Sequence, residues 1–246
     1  MKRGVFLGFL FAFLGSICFS QVLTLPVSDT VSPNMWLCYR MNLHLSETPS
    51  DVQLRIAADS KYWLWINGSL RVREGGLKRG PNPKDTYCDV LQGLEELHEG
   101  DNTVAVLVWY FGKDGFSHRN SPTPGLAFRL VADGEVLDTD GKWKIREHPA
   151  YYQPCGEEPN FRLPESNIGF DAVKDLSFER PGYDDSDWEI PRLLSLEEAG
   201  WNGLVDRPIP LWKDYGLKDY AFLKRENDQI MAYLPYNCLL YTSDAA

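Results

Sequence analysis

Two stretches of the 246-residue chain carry side chains suited to recognising a small molecule. The first, from Tyr110 to Asn120, brings Tyr110, Phe111, Phe116, His118, Arg119 and Asn120 close together. The second, from Lys78 to Asp85, sets Lys78, Arg79 and Asp85 in a segment with Gly80, Pro81 and Pro83. Aromatic rings offer flat apolar faces, and phenol, imidazole, amide and guanidinium groups beside them offer hydrogen bonds. That combination suits a carbohydrate, whose rings have apolar C–H faces and a rim of hydroxyls. The candidate ligand-binding residues are therefore Tyr110, Phe116, His118, Arg119, Asn120, Lys78, Arg79 and Asp85. The alternative is that Phe111 and Phe116 close the end of a β-sandwich and their polar neighbours are merely solvated.

Catalytic chemistry has no comparable nominee. The sequence contains no P-loop, GxGxxG, HExxH or GxSxG pattern. His44, His98, His118 and His148 are scattered without metal-ligand spacing. Glycosidic hydrolysis needs two carboxylates facing one bond. In an extended chain the adjacent pairs Glu95-Glu96, Glu157-Glu158 and Asp184-Asp185 leave on opposite faces. Asp138 and Asp140 fall short of the oxygen set that calcium requires. No catalytic residue, metal ligand or cofactor is expected.

The elements that must position these residues read as strands. From Asp51 to Gly68 the chain is rich in β-branched and aromatic residues, and Gly100 to Phe111 answers it. Val52, Leu54 and Ile56 alternate with Gln53 and Arg55, predicting one buried face. Tyr62, Leu64 and Ile66 face one way and Trp63 and Trp65 the other, so this part is expected to be buried on both sides. Asn67-Gly68 predicts a tight hairpin, and so does Asp133-Gly134. Trp36 to Leu45 reads as a first strand and Trp143 to Ile145 as a continuation of the sheet. Gly75 to Asp89 reads as a long loop, Val90 to Leu97 as a short helical or turn segment, and Glu147 to Asp187 as irregular structure wrapped on the sandwich. Ser195 and Glu198 form a capping box for one helical turn that Gly200 ends.

Composition narrows the partners. A hydrophobic content of 43% supports a substantial core, and a formal charge of −10 repels nucleic acid and anionic membrane surfaces. Residues 1–20 have the anatomy of an export signal: Lys2-Arg3, an apolar run from Val5 to Phe13, and small residues near a cleavage point after Ser20. That run is too short to span a bilayer, so a periplasmic or extracellular location is expected. Cys38, Cys88, Cys155 and Cys238 then remain; they permit three pairings, and free thiols fit equally well.

Six segments occur in order: Ala57–Gly68, Arg79–Asp89, Leu94–His118, the Asp140-Gly141-Lys142-Trp143 turn, Tyr183–Trp188 and Leu204–Trp212. Together they resemble the N-terminal, non-catalytic region of bacterial α-L-rhamnosidases (glycoside hydrolase family 78). The resemblance implies an all-β, galactose-binding-like jelly-roll sandwich over residues 21–212. It also implies that residues 213–246 are the truncated start of a second β-domain, and the terminal CLLYTSDAA reads as an artefactual tail. The family's catalytic carboxylates lie in a later α-helical barrel, a partner in cis that this chain would lack, so no catalytic residue carries over. A rhamnose-containing glycan is the implied partner. A stand-alone lectin-like module and a purely structural domain without ligand are the alternatives. Cys88 departs from the aromatic residue expected beside Tyr87.

Overall fold

The computed structural model describes residues 21–26, 30–77, 85–116, 118–138, 141–155, 163–215, 219–227 and 229–233. The expected export signal at 1–20, the ligand candidates Lys78 and Arg79, Asp140 and Cys238 lie outside them. The chain divides between Trp212 and Lys213 into two compact units.

The first unit is an all-β sandwich. Strands are numbered along the chain. One sheet runs in the order β13 (Arg192–Leu194), β1 (Val22–Thr24), β8 (Gly125–Ala132), β3 (Val52–Asp59), β6 (Asp85–Gln92) and β14 (Gly203–Asp206), with β9 (Glu135–Val136) beside β8. The other runs β10 (Trp143–Glu147), β2 (Met35–Leu45), β7 (Gly100–Tyr110), β4 (Lys61–Ile66) and β5 (Ser69–Gly76). All these pairs are antiparallel except β14 on β6.

Alternation builds the core. Leu37, Tyr39 and Met41 of β2, Leu54 and Ile56 of β3, Tyr62, Leu64 and Ile66 of β4, and Val104, Val106 and Val108 of β7 all point between the sheets. The opposite face of the five-stranded sheet carries Trp36, Cys38, Leu107, Trp109, Trp63 and Trp65, which pack beneath Tyr151, Phe178, Tyr183 and Trp188. The wrap expected from Glu147 to Asp187 therefore covers a second apolar layer, and it includes the short pair β11 (Tyr151–Tyr152) and β12 (Gly169–Phe170). A single buried arginine pins it: Arg40 of β2 donates to the carbonyls of Phe178 (2.6 Å) and Arg180 (3.1 Å) and to Asp185 Oδ2 (2.9 Å).

Three expectations need correction. Asp51 to Gly68 is not one strand: the chain crosses between sheets at Asp59-Ser60, so β3 and β4 belong to different layers. Burial on both sides reads the same in sequence whether one strand or two supply it. Gly75 to Asp89 is not a loop throughout, because β5 extends to Gly76 and β6 starts at Asp85. Val90 to Gln92 complete β6 rather than a helix, and only Leu94 and Leu97 belong to the turn that follows. The two hairpins form as expected, with Asn67-Gly68 at φ +50° and +81° and Asp133-Gly134 at +48° and +84°. The capping box at Ser195 and Glu198 forms in both directions.

In the second unit, β15 (Phe222–Glu226) and β16 (Gln229–Tyr233) make an antiparallel hairpin on which Phe222 and Tyr233 stack at 3.9 Å.

Candidate functional site

The end of the sandwich where β7 leaves the sheet gathers most of the chemistry anticipated in the sequence. Two segments build it, the loop from Phe111 to Pro124 and the stretch from Leu163 to Ser166. They meet where Gly115 abuts Pro164: a Cβ at Gly115 would come within 2.5 Å of the proline ring. Lys61 at the start of β4 borders the same region, its ammonium 5.6 Å from the Trp109 ring centroid and 5.8 Å from that of Phe111.

Beneath the surface the loop is fastened by polar groups. Asp59 is fully buried at the sheet crossing and accepts from the Ser121 N–H at 2.7 Å and from the Ser60 hydroxyl at 3.0 Å. His118 is buried beside it, Nε2 lying 3.8 Å from Asp59 Oδ1 and the ring set edge-on to Phe111. Tyr110 donates its hydroxyl to the Ser121 carbonyl at 2.7 Å and accepts from Asn120 Nδ2 at 2.8 Å. Burial pushes the Tyr110 phenol up to about 12. Tyr110 and His118, read from sequence as ligand contacts, therefore hold the loop in place from within.

Phe116, Arg119 and Asn120 are placed differently. Phe116 is 86% exposed, an aromatic ring presented to solvent. Arg119 is exposed too and pairs with Asp114 at 2.8 Å. The backbone N–H of Asn120, and then Arg119, hold the Asp114 carboxyl below the usual carboxylate range. Asn120 Oδ1 is enclosed without a donor among the described residues, and so is Glu165 Oε2 on the neighbouring segment. An enclosed acceptor without a donor is costly unless something supplies the hydrogen. Asp85 belongs elsewhere: it is buried at the start of β6 and accepts from Asn202 Nδ2 at 2.9 Å.

Lys61, Glu74 and Glu165 join this region without any signal in the local sequence. Lys61 lies 3.7 Å from Glu74 and 3.5 Å from Glu165, residues separated from it by 13 and 104 positions, so no local spacing announces them. The lysine ties both carboxylates into ion pairs, which is unlike two acids facing a scissile bond across open space. Among the described residues no group of three or more His, Cys, Asp or Glu side chains is arranged to hold a metal ion.

No protein-family model matches the chain, and no curated protein sequence does. Solved structures do. A family 78 rhamnosidase of Bacillus sp. GL1 superposes with a TM-score of 0.64 and 26% identity, over 78% of this chain and 20% of that one. The chain is similar to one region of an α-L-rhamnosidase. The α-L-rhamnosidase of Aspergillus terreus gives a TM-score of 0.59 at 18% identity, over 84% of this chain and 24% of the fungal enzyme. A lectin of Pleurotus ostreatus shares the fold at a TM-score of 0.50 and 15% identity, over 79% of this chain and 48% of the lectin. This chain thus spans about a fifth to a quarter of the length of the two rhamnosidases.

Proposed function

We propose that the chain is the non-catalytic β-sandwich of an exported α-L-rhamnosidase-like glycoside hydrolase. The match to one region of the Bacillus rhamnosidase carries this reading. In it the hydrolytic carboxylates belong to a catalytic domain in cis, and the sandwich holds a rhamnose-containing glycan near that domain. The contact surface is the end of the sandwich: Phe116 supplies a ring for stacking and Arg119 a donor. Tyr110 and His118 support that surface from below.

The test is calorimetric titration of the whole chain with a rhamnose-terminated oligosaccharide, alongside an assay for release of rhamnose. Weak binding without hydrolysis is expected. Hydrolysis by the chain alone would overturn the non-catalytic reading.

A second reading is a domain that only orients its neighbours. It is favoured by exposed apolar side chains on the wrap, among them Tyr152 (54%), Leu163 (51%) and Val173 (94%). Under that reading the titration gives no heat.

A further inference from the structure

The outer face of the five-stranded sheet is divided. Its paired rows across β2 and β7 are Trp36/Trp109, Cys38/Leu107, Arg40/Ala105, Asn42/Thr103 and His44/Asp101. The first three rows lie beneath the wrap. The last two are polar and open into a groove of about 400 Å³ walled by Pro181, Gly182 and Tyr183.

We propose that this groove is a second binding site, separate from the loop end, and that it takes a neutral pyranose ring of a glycan. Its floor is already fixed. Thr103 donates to Asn42 Oδ1 at 2.9 Å, Arg40 Nη2 donates to the same oxygen at 3.3 Å, and Asn42 Nδ2 donates to Asp185 Oδ2 at 3.1 Å. Asn42 is thereby held in one orientation with a second amide hydrogen to offer. His44 Nδ1 sits 2.7 Å from Asp101 Oδ1, and these side chains, 71% and 94% exposed, present Nε2 and Oδ2 to an incoming hydroxyl. Tyr183 supplies a half-buried ring at the wall, steadied by the Arg40 guanidinium at 5.6 Å and by Trp188 at 5.7 Å. The Asn42 amide and the Tyr183 ring, held by these contacts, cost little ordering when a ligand binds.

Charge selects a neutral occupant. Arg40 and Lys144 bring two positive charges, and Asp185, which both of them contact, and Asp101, which faces His44, bring two negative ones. A groove with its charges internally balanced has no electrostatic preference for an anionic or cationic ligand. Its volume lies within the range of about 300–1,000 Å³ usual for small-molecule sites.

The experiment is a set of amide ¹H–¹⁵N spectra of the whole chain, titrated separately with the methyl glycosides of rhamnose, galactose and glucose. At least one of them shifts the Asn42, Thr103 and Tyr183 resonances. Tyr183→Ala weakens that response about tenfold, the loss expected when one aromatic partner is removed. His44→Ala, at a position too exposed to threaten folding, weakens it too, while Phe116→Ala leaves it unchanged. Shifts confined to residues 111–124 would overturn the groove and leave the loop-end reading standing. Shifts in the groove alone would sustain it without the loop. No shift with any glycoside would overturn it.

Discussion

Replacing Arg40 should detach the wrap from the sheet, and the size of the loss follows from what the guanidinium touches. Arg40 is 1% exposed and makes a 2.9 Å ion pair with Asp185, whose side chain is 12% exposed. It also donates to the Phe178 and Arg180 carbonyls. Arg40→Met keeps the volume of the stem but removes every donor. Two carbonyls and a carboxylate then lose their partner, although Lys144 still reaches Asp185 at 3.1 Å. Removing one partner of a buried pair costs about 3–5 kcal/mol. For a domain of this size each kcal/mol lowers the melting temperature by about 2–4 °C, so a fall of about 6–20 °C is expected. Thermal unfolding followed by tryptophan fluorescence is a suitable assay, since Trp36 lies under the wrap and Trp188 packs against its Phe178 and Tyr183. Pairing the change with Asp185→Ala in a double-mutant cycle isolates the ion pair. A melting temperature within 2 °C of wild type, about what 1 kcal/mol or less would give, would show that ring packing alone retains the wrap.

Other outcomes follow from the same layer and from the cysteines. Burial lowers the pKa of His148, against the opposing pull of Asp175 at 3.5 Å, so the fold favours the neutral imidazole. Its contribution to stability is complete above the unfolded value of about 6.5 and is lost as pH falls through the lower folded value. Melting curves from pH 7.5 to pH 5 should therefore decline more steeply for wild type than for His148→Gln, and parallel declines would refute this. Cys38 and Cys88 are buried and free, and burial raises both thiols, Cys88 to about 11. Iodoacetamide should label exposed Cys155 in the native protein, and Cys38 and Cys88 only after denaturation, as peptide mass spectrometry would show. Asp59→Ala should remove the carboxylate that fixes Ser121 and raise proteolytic cleavage within 111–124 several-fold, with the rest of the sandwich intact.

Much of the fold could be read from residues whose physics is local. Asn67-Gly68 and Asp133-Gly134 need positive φ angles, and Ser195 and Glu198 cap each other across three residues. The two-faced apolar pattern of Tyr62 to Ile66 announced burial on both sides, and the wrap supplies the second cover. What stayed hidden depends on distant partners. Nothing near Gly203–Asp206 shows that it pairs parallel with β6. Nor does anything near Arg40 show that its guanidinium will be capped by carbonyls about 140 residues away. The candidate site was legible in its composition and only partly in its roles. Tyr110 and Phe116 are both aromatic, but strand alternation and the reach of a phenol to Ser121 bury one while the loop presents the other.

Glycan binding at the loop end is tested most directly by a calorimetric titration of wild type and of Phe116→Ala/Arg119→Ala with a rhamnose-terminated oligosaccharide. Both changes lie on exposed side chains and should leave the melting temperature unaltered. Weak saturable binding by wild type and a loss of about tenfold or more in the double variant are expected. Identical isotherms for the two proteins would contradict it.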